Sequence, residues 1–245
     1  INQLPLGVIG IAVGTVLLPE LSRALKGGNM AAASDSQNRA IELSLLFTLP
    51  ATAAFLAAGF PIISVLFERG AFQAADAQAT SATLMAYALG LPAFVLIRSL
   101  LPGFYAREDT KTPVKIALVV VTVNVALKLA LMQPLSQVGL ALATSAASWV
   151  NCALLAVLLF RRGFLVFDSR LRRRVPRQLL AALAMAGVLL AAQWGLAGML
   201  GAPALGTRSL ALGLLVGAGV AAYAVAGVAL GVVSVAELKL YTRRR

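Results

Sequence analysis

Seven stretches of this chain are apolar for long enough to cross a bilayer core of about 30 Å, which takes about 20 helical residues. They run from Leu4 to Leu21, Ile41 to Phe67, Ala79 to Tyr105, Val114 to Met132, Val138 to Phe160, Gln178 to Leu200 and Ser209 to Val233. Lipid offers the backbone no hydrogen-bond partners, so a spanning segment satisfies its own N–H and C=O groups as a helix or closes into a barrel. These runs lack strand alternation and are about two to three times too long for barrel strands. The expected fold is therefore all-α, a polytopic membrane helix bundle of seven transmembrane helices. Composition agrees: 60% of residues are hydrophobic, 12% are charged and the mean hydropathy is +0.89, whereas soluble domains are about half apolar and a quarter charged.

A net charge of +12 raises the question of nucleic acid, and the placement of the basic residues answers it. Arg23, Lys26 and Arg39 follow the first span; Arg107, Lys111 and Lys115 follow the third. Seven arginines between Arg161 and Arg177 follow the fifth, and Lys239, Arg243, Arg244 and Arg245 follow the seventh. The alternate loops hold only Arg69 and Arg208. Lys and Arg accumulate in cytoplasmic loops, so the C-terminus is expected in the cytoplasm and the first span runs inward. The charge is topological, and no nucleic-acid partner is expected. Histidine is absent and Cys152 stands alone, which removes His-based triads and a disulfide framework. No Walker A pattern occurs. The chain is thus expected to be no enzyme and to hold no cofactor or metal. It opens on Ile1 rather than Met, inside an apolar run, and reads as a fragment of a longer polypeptide.

Two basic residues lie inside spans, and intramembrane charges are functional candidates by default. Arg98 is nine residues before Arg107, about 13 Å along a helix; cavity function and snorkelling both fit. Lys128 lies about 8 Å from the outer loop, within snorkelling reach. Asn124, one turn earlier on the same face, makes a polar stripe that belongs against protein or water. Pro50, Pro61, Pro92 and Pro102 fall inside the second and third spans, where each removes a helical hydrogen bond and can bend the axis. Small residues recur at packing intervals at Gly10 and Gly14, at Ser145, Ser148 and Cys152, and at Gly213, Gly217 and Ala221. The arginine-rich segment 161–177 reads as a topology signal, with anionic headgroup recognition as the alternative.

Three stretches go beyond a generic membrane protein: QLPLGVIGIAVGTVLLPELSR from Gln3 to Arg23, LFERGAF from Leu66 to Phe72, and PGFYAREDTKTPVKIA from Pro102 to Ala117. Together they resemble the MurJ (MviN) lipid II flippase family. The resemblance implies the fold of the multidrug/oligosaccharidyl-lipid/polysaccharide exporter superfamily, fourteen helices in two lobes, with these seven spans matching helices eight to fourteen. It implies an inner-membrane transporter whose partners are lipid II, membrane lipids and the missing N-terminal half. Lipid II would move from the cytoplasmic to the periplasmic leaflet by alternating access. On this alignment residues 1–160 form an incomplete lobe of five helices, 161–177 a basic cytoplasmic loop, and 178–245 a final helix pair with a lipid-tail groove and a basic tail. Gln3 takes the place of a cavity-facing Glu of some members, Arg98 matches a commonly basic position, and Lys128 falls where relatives often carry a neutral polar residue. Arg107, Glu108, Asp109, Thr110, Lys111, Thr112 and Pro113 match the family's loop signature, as a gating element or as a structural turn with Pro113 opening the next helix. The alternatives are export of another polyprenyl-linked glycan or of cationic drugs, or a non-transporting scaffold for cell-wall enzymes.

Overall fold

In the computed structural model, residue 1 and residues 3–232 are described, with the side chains of residues 4–6 and 8–14 left aside. The surroundings expected for Gly10 and Gly14, the end of the seventh span at Val233 and the basic tail from Lys239 to Arg245 lie outside the described residues. Every regular element described is a helix: α1 (Gln3–Lys26), α2 (Met30–Phe67), α3 (Ala74–Ala88), α4 (Leu91–Tyr105), α5 (Lys111–Arg161), α6 (Ser169–Leu200) and α7 (Leu205–Ala229). Among the described residues α2, α3 with α4, α5, α6 and α7 are long and apolar enough to cross a membrane.

The helices start where short polar side chains can take up orphan backbone donors. Asn29 Oδ1 accepts from the Ala32 N–H at 3.0 Å before α2, and Asp168 Oδ1 accepts from the Leu171 N–H at 2.6 Å before α6. Asp109 Oδ1 does the same for the Thr112 N–H at 3.0 Å. The α5 end at Gly163 closes with the Phe164 N–H on the Leu159 carbonyl and the Gly163 N–H on the Phe160 carbonyl, with Gly163 at φ +69°. That left-handed position normally takes glycine.

One span differs from the sequence expectation. The third span is not one helix, because α3 and α4 part at Leu89 and Gly90. Pro92 causes this: it has no N–H to offer the carbonyl four residues back and disfavours helical geometry just before it. The fourth and fifth spans meet within the 51-residue α5 at Ser136 (φ 48°, ψ −129°), a break that falls between their expected bounds at Met132 and Val138. A straight helix of that length would reach about 75 Å. The chain instead doubles back, since a Cβ on Gly139 would collide with the Leu131 carbonyl, eight residues away. Gly139 is small so that the two limbs can meet.

The chain divides into two compact units, Ile1–Thr52 with Thr83–Arg172, and Ala53–Ala82 with Arg173–Arg245. In the first, α4 packs against both α1 and α5, burying Leu91, Val95 and Phe104 completely. Gly103 admits the buried Gln37 and Leu159 alongside it. A second cluster joins Leu17 and Leu21 to Ala33 and Ala40. The core of the other unit is Ala58, Met185, Leu189 and Leu215, with Gly219 allowing Leu189 close to α7.

Candidate functional site

The seven loop residues 107–113 form one stitched turn. Arg107 lays its guanidinium 4.1 Å over the Phe164 ring and donates from Nη1 to the Gly103 carbonyl at 2.6 Å; burial pulls its pKa down. Glu108 takes the left-handed position at φ 61°. The Asp109 N–H bonds the Phe104 carbonyl and the Glu108 N–H the Tyr105 carbonyl, so Glu108 stands where the equivalent turn after α5 has Gly163. Asp109 then receives the Thr112 N–H on one oxygen and Arg162 Nη1, at 2.5 Å, on the other. Arg162 also donates to Thr112 Oγ1 at 3.1 Å. Hydrogen bonds from Thr112, then Arg162, hold the Asp109 carboxyl down at about 2. Thr110 holds the N-cap position of α5 without a side-chain cap hydrogen bond, Lys111 begins the helix, and Pro113 is buried in its first turn.

The intramembrane candidates are not brought together by any hydrogen bond or ion pair among the described residues. Gln3 is exposed at the start of α1, and Arg98 is half-buried on α4 without a described partner. Asn124 and Lys128 are half-buried on one face of α5, and Asn124 Oδ1 is enclosed without a described hydrogen-bond partner.

The prolines pair with donors from other helices. Pro61 cannot bond the Ala57 carbonyl; Gln193 Nε2 of α6 donates to that oxygen at 2.9 Å, and α2 departs from helical geometry next door at Ala58 (φ −121°, ψ 18°). Pro92 releases the Ala88 carbonyl, which accepts from Thr52 Oγ1 at 3.2 Å. The same break exposes the carbonyls of Ala86 and Leu89, which accept from Ser145 Oγ at 2.7 Å and Trp149 Nε1 at 2.8 Å. Pro50 lies within α2 and Pro102 within α4, away from both breaks.

Sequence reasoning missed a cleft of about 410 Å³ within the second unit, lined by the ends of α2 and α6 and the start of α7. Its polar side is a cluster. Arg208 Nη2 lies 3.1 Å from Glu68 Oε2 and donates to Ser64 Oγ, while Ser64 donates to the same Glu68 oxygen. The Ser64 hydroxyl, opposed by burial and aided by Arg208, draws the Glu68 pKa below its usual value. Phe60, Pro61, Val65 and Leu200 supply apolar wall, and Gln193 also lines the space. One signal was available: Glu68 lies in the LFERGAF motif, and Arg208 is one of two cations in the cation-poor loops.

A multi-pass helical bundle with proline-broken helices whose freed carbonyls are satisfied by neighbours has the build of a membrane transporter. Residues 1–200 match the family described as lipid II flippase MurJ, and the chain belongs to that family. It is 46% identical over 245 residues to a probable lipid II flippase MurJ of Rhizobium meliloti (strain 1021), covering 100% of this chain and 46% of the relative. The corresponding protein of Rhizobium tropici is 44% identical over 246 residues, with the same coverages. A solved structure, "Lipid II flippase MurJ, inward closed conformation", superimposes with a TM-score of 0.74 at 26% identity, over 92% of this chain and 44% of that one. The chain spans about half the length of the relatives it matches.

Proposed function

We propose that this chain is the second lobe and final helix pair of a transporter that carries lipid II from the cytoplasmic to the periplasmic leaflet by alternating access. The observation that carries the reading is the family match over residues 1–200, joined to full-chain similarity to proteins bearing the flippase name. The work is physical rather than covalent: a hydrated cavity takes the pyrophosphate and sugars, and an apolar groove on the helices of 178–245 keeps the prenyl tail in lipid. Dragging the charged headgroup through hydrocarbon would cost far more. In this reading the seven spans are helices eight to fourteen of a two-lobe fold in the bacterial inner membrane, with a cytoplasmic C-terminus. Arg98 faces the cavity as an anion-attracting group, the Asn124 and Lys128 stripe and Gln3 border it, and loop 107–113 sits on the cytoplasmic side.

The test is rescue of growth and of outer-leaflet lipid II in flippase-depleted cells by the natural protein, with and without Arg98→Ala at matched membrane abundance. Rescue by the unaltered protein alone supports flipping and the role of Arg98. Rescue by both retains flipping and returns Arg98 to snorkelling. Failure of a well-expressed unaltered protein overturns the lipid II reading.

A further inference from the structure

The Ser64, Glu68 and Arg208 cluster is more than an internal brace, because it leaves hydrogen-bonding capacity of both signs beside an apolar cleft. Glu68 uses Oε2 for both Ser64 and Arg208, and its Oε1 has no partner among the described residues. Arg208 commits Nη2, and its Nε is enclosed without a described hydrogen-bond partner. Gln193 spends its amide nitrogen on the carbonyls of Ala57 and Leu189, which leaves its carbonyl oxygen as an acceptor. The cleft-lining residues thus present a carboxylate, an amide acceptor and a guanidinium next to Phe60, Val65 and Leu200. A volume of about 410 Å³ falls within the range of about 300–1,000 Å³ typical of small-molecule sites. The cleft lies where α2 and α6 end and α7 begins, the level at which spanning helices meet lipid headgroups.

We propose that this cleft binds a zwitterionic phospholipid with a primary ammonium, such as phosphatidylethanolamine. The ammonium donates to Glu68 and Gln193, the phosphate accepts from Arg208, and an acyl chain lies along the apolar wall. Charge complementarity selects this occupant. An anionic phosphatidylglycerol headgroup offers Glu68 only neutral hydroxyls and meets its repulsion, while a quaternary ammonium has no N–H to donate. A charge-assisted hydrogen bond is worth about tenfold in affinity, and that is the discrimination expected.

The experiment uses the purified natural protein in neutral detergent and measures affinity by native mass spectrometry for phosphatidylethanolamine, phosphatidylcholine and phosphatidylglycerol of identical acyl chains. Phosphatidylethanolamine is expected to bind about tenfold tighter than either. Glu68→Gln should abolish that ratio, leaving phosphatidylcholine unchanged and tightening phosphatidylglycerol by the repulsion it removes, and Arg208→Gln should weaken all three. Ala197→Phe, which fills the cleft and spares the ion pair, should weaken all three and decides the matter if the charge variants do not fold. Equal affinities in the unaltered protein, a preference that survives Glu68→Gln, or full binding after Ala197→Phe would each overturn the proposal. So would soluble phosphoethanolamine binding as tightly as the whole lipid, since the acyl wall would then play no part.

Discussion

Two acid–arginine clusters, each at a helix end, are built to opposite specifications. In the loop cluster, Asp109 places one oxygen on Thr112 and the other on Arg162, and the guanidinium of Arg107 is covered by Phe164. Its capacity is spent inside the turn. In the cleft cluster, Glu68 and Arg208 meet through one oxygen and one nitrogen and keep valences in reserve. A turn that only joins helices benefits from closing all its bonds, whereas a surface that receives a ligand must leave some open. The contrast separates a fastener from a receptacle.

The largest effect should come from the cleft side. Arg208→Ala strips Glu68 and Ser64 of a donor where both ionic partners are mostly enclosed, with side chains 16% and 25% exposed. Loss of about 2 kcal/mol of stability is expected, read by thermal unfolding in detergent. Next, Gln193→Leu leaves the Ala57 carbonyl bare beside Pro61 and should cost about 1–2 kcal/mol by the same measurement; no loss would mean that another donor takes its place. The loop cluster should show itself in pH rather than in the size of a single deletion. Asp109 titrates at about 2 when folded against about 3.9 for a free side chain, so its contribution is complete above about pH 4 and fades as pH falls toward 2. Asp109→Asn should flatten the pH dependence of unfolding in that interval, and an unchanged profile would remove Asp109 from the fastener. The smallest effect expected is a gain: Glu108→Gly relieves a left-handed residue at φ 61° and should add about 1 kcal/mol, visible as a raised unfolding midpoint.

Much of the architecture was legible because hydropathy is averaged over about 20 residues, and no local detail can hide a run that long. The helix starts at Asn29 and Asp168 were not, because each is followed by about ten largely polar residues before the apolar runs that begin at Ile41 and Gln178. Pro92 marked a bend in the third span, but the full parting of α3 from α4 at Leu89 and Gly90 was not legible, since it leaves the average unchanged and depends on what lies across the bundle. Thr52, Ser145 and Trp149 hold the α3–α4 junction together, yet none is near it in sequence. The cleft cluster was hidden by distance as well, with Glu68 and Arg208 140 residues apart. Its two halves stood out only as a motif carboxylate and a stray arginine.

The donors that answer the prolines also set a rule of inheritance. Pro61 with Gln193, and Pro92 with Thr52, are pairs in which one member creates a need that the other meets from a different helix. A lineage that replaces Pro61 regains the N–H for the Ala57 carbonyl and frees residue 193 from that one bond; one that loses Gln193 first passes through a destabilised intermediate. The order of substitution is therefore constrained, and across descendants the two positions should change in a fixed sequence, proline first and donor second.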